Sequence, residues 1–170
     1  IKGENAAPKA EKPAEQPEAA DGEKREIQGI GSDSGLWKSR YPVNPSLIEY
    51  GEKNGEIVDY ALLDENGLMT SNFLKGTVFT VRMKIRAHAD ILEPIFAFTI
   101  KNMKGIEICG TNTTMEHVPV PTMHDGDEHV VEFTQKMDLQ GGEYLLSLGC
   151  TGYQDGMFRV FHRLYDVISL

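Results

Sequence analysis

Residues 78–87 read Val-Phe-Thr-Val-Arg-Met-Lys-Ile-Arg-Ala. Phe79, Val81, Met83, Ile85 and Ala87 fall on one side of an extended chain, while Thr80, Arg82, Lys84 and Arg86 fall on the other, continued by His88. A period of two belongs to a β-strand with one face against a core and one outside. The text on either side follows the same grammar of short apolar or alternating runs separated by turns. Upstream, Glu56 to Leu63 is a strand candidate closed by Asp64-Glu65-Asn66-Gly67, where Asn-Gly favours a tight turn. Downstream, Pro94 to Lys101 sets Phe96, Phe98 and Ile100 on a shared face. A turn at Asn102-Met103-Lys104-Gly105 then leads into Ile106 to Gly110. Glu128 to Met137 and Gly142 to Cys150 follow, with Tyr144, Leu146, Leu148 and Cys150 facing the core. Met157 to Leu170 reads mostly as strand, with a helical turn near His162 to Tyr165 as a local alternative. No long window carries a period of 3.6, and nothing repeats. The expected fold class is therefore all-β: an immunoglobulin-like or jelly-roll antiparallel β-sandwich.

The organisation divides near residue 45. Residues 2–26 are mostly Ala, Glu, Lys and Pro without an aromatic, and Pro8, Pro13 and Pro17 break any helix. Such text buries too little surface to repay ordering, so it is expected to be a disordered, semi-stiff spacer rather than a short amphipathic helix. Ile27 to Pro45 is rich in Gly and Ser, and Trp37 and Tyr41 are its large groups. They are expected to pack against the sandwich edge, with exposure toward a partner as the alternative. Residues 1–45 thus form a linker and residues 46–170 the sandwich domain. The first residue is Ile1, which suggests a fragment of a longer chain.

The 17 basic and 26 acidic residues leave a net charge of −9. Affinity for nucleic acids comes largely from neutralising phosphates, so nucleic acid and anionic membrane are poor partners for this surface. Cys109 and Cys150 sit in apolar runs and are expected to be buried, reduced thiols, not a disulfide framework. No apolar run approaches the roughly 20 residues of a membrane span. A cytoplasmic setting is expected.

Motifs of chemistry are sparse. There is no G-x-x-x-x-G-K-[ST] loop, no G-x-G-x-x-G turn, no G-x-S-x-G elbow and no C-x-x-C pair. His117, His124 and His129 bracket Asp125-Gly126-Asp127-Glu128, and His with carboxylates can hold a metal. Their spacing fits no defined pattern, and the calcium-loop beginning lacks its twelfth-position Glu. A solvated hairpin loop accounts for them better. The basic face of the 78–87 strand is more unusual in an acidic chain. It is either a plain solvated face or a ligand surface for sugar hydroxyls. Asn112, in Gly110-Thr111-Asn112-Thr113-Thr114, either caps a strand end or reads a polar ligand.

In combination these runs resemble the C-terminal carbohydrate-binding domain of Wzt-type ATP-binding subunits in polysaccharide ABC transporters. The resemblance is carried from Tyr50 to Leu170 by Lys75-Gly76-x-x-Phe79-Thr80-Val81-Arg82, then Phe96-x-Phe98-x-Ile100-Lys101-Asn102, then Gly110-Thr111-Asn112-Thr113, in that order. Further matching text is GEIVDYALLDENG, GGEYLLSLGC and the terminal HRLYDVISL. It implies a sandwich that binds an O-antigen, teichoic acid or related glycan while still lipid-linked in the cytoplasm, at the inner face of the membrane. It also implies an ATPase domain on the same polypeptide outside this stretch, a membrane subunit of the transporter, and a homodimer with an exchanged C-terminal strand.

The resulting expectation is a carbohydrate-recognition module without catalysis or cofactor. Sugar contacts are expected from Arg82, Lys84, Arg86 and His88, with Thr99 and Asn112 beside them. The competing readings are a docking or dimerisation sandwich that touches no sugar, and a small metalloenzyme built on the histidine cluster.

Overall fold

The computed structural model describes residues 35–170, so the expected disordered spacer lies outside the described residues. A single 3₁₀ turn, Trp37–Arg40, precedes eight strands: β1 Ile48–Tyr50, β2 Gly55–Leu63, β3 Val78–Ala87, β4 Glu93–Asn102, β5 Glu107–Asn112, β6 Glu128–Lys136, β7 Tyr144–Gln154 and β8 Met157–Ser169. They form two antiparallel sheets, one of five strands in the order β1-β8-β7-β4-β5 and one of three in the order β2-β3-β6. The antiparallel β-sandwich expected from the alternation is thus the architecture found. None of the helices among the described residues is long and apolar enough to cross a membrane.

The core lies between the sheets. The three-stranded sheet contributes Phe79, Val81, Met83, Ile85 and Phe133, and the five-stranded sheet contributes Phe96, Phe98, Ile100, Leu146, Leu148, Cys150 and Phe161. Phe98 and Phe133 meet across the interface with ring centroids 5.3 Å apart. Each such side chain, fully buried, contributes roughly 1.5–3 kcal/mol, which makes this seam the main stabilising element. His162 of β8 adds a polar stitch. Its Nδ1 accepts the Ile57 N–H of β2 at 2.9 Å, and its Nε2 lies 2.9 Å from Glu49 Oε1 of β1.

Strands β8 and β2 carry local irregularities. The stretch His162 to Tyr165 is strand, not a helical turn. Its alternation is broken by register shifts against β7 and by a positive φ of 63° at Asp166, which mark bulges. In β2 a second bulge falls between Ile57 and Asp59 and swaps the faces of the residues that follow. Tyr60 and Leu62 then point inward, while Asp59, Ala61 and Leu63 point outward.

Those outward residues are nonetheless buried, because the segment before β1 folds over them. Asp59 accepts the N–H groups of Trp37 and Lys38, each at 2.9 Å. The Tyr41 hydroxyl donates to Leu62 O and accepts from Leu62 N. Burial pushes the Tyr41 phenol above its ordinary range. Trp37 and Tyr41 therefore pack on the sandwich, as the first of the two readings of that segment expected.

Candidate functional site

The basic face of β3 is arranged as a charge ladder. Register places Arg82 opposite Glu132 and Arg86 opposite Glu128 on β6. Arg82 Nε donates to Glu132 at 2.5 Å and Arg86 Nε donates to Glu128 at 2.9 Å. The Arg86 guanidinium holds the Glu128 carboxyl below the usual range. His88 Nε2 meets Glu56 at 2.9 Å. Lys84 and Arg82 both lie 5.3 Å from the centre of the Trp37 ring. Cross-strand pairs and cation–π contacts therefore occupy this face.

Thr99 and Asn112 are not beside it. They lie on β4 and β5, in the other sheet, and Thr99 points away from the core. Local sequence shows alternation but not sheet membership, so the two groups of residues were separable only in three dimensions. The histidine cluster does not assemble either. Among the described residues no group of three His, Cys, Asp or Glu side chains converges to hold a metal. The His124 ring meets Asp90 at 3.3 Å, and its backbone N–H donates to Asp127 at 2.8 Å.

Around Thr99 and Asn112 the outer face of the five-stranded sheet forms a trough. Register aligns Ala97 with both Gly149 and Asn112, Thr99 with Gly110, and Gly149 with Arg163. The small side chains of this patch keep the floor low. Gly110 cannot be larger: a Cβ there would stand 2.5 Å from Phe98 O. The main volume is about 850 Å³, bounded by Glu93, Ile95, the 112–120 loop, Thr151, Tyr153, Phe158 and Arg163. A second volume of about 430 Å³ continues past Thr99, Cys109 and Asn112 and shares Arg163.

Two devices hold its walls. Asn112 Oδ1 accepts the Met115 N–H at 2.8 Å, and His117 takes a positive φ of 55°, turning the loop over β5. At the other end β7 and β8 are joined by Asp155 (φ 53°) and Gly156 (φ 72°), a two-residue turn with both residues left-handed. That turn brings Tyr153 and Phe158 edge-to-face at 5.7 Å. Beyond Arg163, Tyr165 stacks on Tyr50 at 5.9 Å, and the bond with Tyr50 lowers the Tyr165 phenol. The trough combines amide, hydroxyl and guanidinium groups on its floor with an aromatic pair on its rim. It also carries Cys109, half-buried and with its thiol raised by burial.

Arg163, Tyr153 and Phe158 were missed from sequence. The signal that existed was weak: a charged residue in the otherwise mixed β8 run, and aromatics flanking an Asp-Gly turn.

Among curated proteins, none matches the chain. A solved structure of the C-terminal domain of Wzt aligns with a TM-score of 0.72 at 23% identity, covering 79% of this chain and 82% of that one. Chicken MD-1 complexed with lipid IVa aligns with a TM-score of 0.39 at 12% identity, over 74% of this chain and 96% of that one, a likeness too distant to bear on function. The family model of the Wzt C-terminal domain matches residues 46–170, and the chain belongs to that family.

Proposed function

We propose that this Wzt-type transporter domain is the glycan-recognition module of a polysaccharide ABC exporter, reading a lipid-linked chain in the cytoplasm. The observation that carries the reading is the trough. Sugars offer hydroxyls to donors and acceptors and C–H faces to aromatic rings. The trough provides Asn112 and Thr99 for the first, with the Tyr153–Phe158 pair for the second. The ion pairs on β3 support a different task for Arg82, Lys84, Arg86 and His88, namely holding β2, β6 and the Trp37 turn together. The ATPase domain on the same polypeptide, the transporter's membrane subunit and the homodimer complete the proposal.

Titration calorimetry with the source organism's own surface polysaccharide tests it, an unrelated glycan serving as control. Asn112→Ala and Tyr153→Ala should each weaken binding about tenfold, the value of one net hydrogen bond or stacking contact. Arg82→Ala should leave affinity unchanged. A folded domain that binds no cognate glycan replaces this reading with that of a docking or dimerisation module.

A further inference from the structure

We infer that the glycan bound in this trough carries an anionic group, a carboxylate or a phosphate, that docks on Arg163. This inference rests on the trough being the glycan site and adds the chemical class of the ligand.

The argument starts from an imbalance. Arg163 lines both volumes of the trough, so its guanidinium is the cation shared by the whole floor. Its Nε is buried without a hydrogen-bond partner, the one such side-chain atom among the described residues. Several of the described carboxylates pair elsewhere: Glu132 with Arg82, Glu128 with Arg86, Asp166 with Lys101 and Glu52 with Arg159. None reaches Arg163 within ion-pairing distance. A partly desolvated cation without a counter-charge is costly, and an anion on its open side offsets that cost. The planar fork of Arg matches two oxygens of a carboxylate or phosphate at once.

The surroundings favour the same ligand. Gly149 lies opposite Arg163 in the register, and a Cβ there would already stand 3.8 Å from Arg163 Nε, so glycine leaves the guanidinium uncovered. The Tyr165 phenol lies beside it, lowered first by Tyr50 and then by Arg163. Glu93 and Glu107 also line the trough, and Glu107 acts on the Tyr165 phenol, yet neither forms an ion pair with Arg163. The chain as a whole carries −9 and repels anions, so selective anion binding at this place requires a local site.

The test is an array of bacterial oligosaccharides in three sets: neutral, uronate-bearing and phosphate-bearing. The wild-type chain is compared with Arg163→Gln, and with Arg163→Met, which keeps the aliphatic stem should the first variant not fold. Signal confined to one or both acidic sets, falling at least about tenfold in the variant, is the expected result, and the set that binds identifies carboxylate or phosphate. Equal signal on neutral glycans, or acidic binding that survives loss of Arg163, overturns the inference. If that neutral binding is lost in Asn112→Ala, the trough remains the glycan site. Signal on no glycan removes both readings.

Discussion

His162 shows how one side chain can hold three strands. It is 1% exposed, it accepts from β2 through Nδ1, and its Nε2 therefore carries the proton toward Glu49 of β1. Replacing it with Ala removes core volume and orphans the Ile57 N–H, so His162→Ala should cost about 2–4 kcal/mol in urea unfolding at neutral pH. Glu49 carries the pH dependence of the same cluster. The Lys53 ammonium, and after it His162, hold its carboxyl below the ordinary glutamate range. A depressed carboxyl stabilises the fold above its unfolded pKa, about 4.3, and that contribution fades as pH falls through the folded value. The urea midpoint of wild type should thus exceed that of Glu49→Gln at pH 7, with the gap closing below about pH 4. An unchanging gap would remove the ionic contribution. Cys150 gives a further check at this scale. Burial pushes its thiol up to about 12, so iodoacetamide at pH 8 should label half-buried Cys109 and leave Cys150 until the chain unfolds.

At the scale of elements, legibility followed local chemistry. β3 was read with its observed ends because five alternating apolar positions and four polar ones leave one register open. β2 and β4 were recovered to within a residue at each end, and the Asn102–Gly105 turn formed with Gly105 at φ 80°. β1 was not foreseen, since a three-residue exposed strand has no pattern to read. The bulge in β2 was also illegible: Asp59 stands in an apolar run and is buried for a reason 22 residues away, the N–H groups of the Trp37 turn. This clamp is testable with the chain's single tryptophan. Asp59→Ala should free the turn, lift the indole off Arg82 and Lys84, and shift its fluorescence to the red. Unshifted emission would mean that the cation–π contacts alone suffice to seat the ring.

Across the whole molecule, the candidate site was half legible. Asn112 and Thr99 were named, but the face that joins them to Arg163 exists only because β8 lies between β1 and β7. β8 also buries Phe161, Leu164, Val167 and Ile168, so a chain ending at Gln154 should aggregate, not yield a folded remnant, on size-exclusion chromatography. A folded truncation product would show that the core closes without it. The Tyr41 hydroxyl has an effect of its own at this scale. β2 is the outer strand of its sheet, and at Leu62 its outward N–H and C=O are both taken by that one phenol. A strand whose outward groups are engaged offers no template for a neighbouring chain. The anchor of the incoming segment thus doubles as insulation against edge-to-edge aggregation, a safeguard that matters most where many copies crowd together.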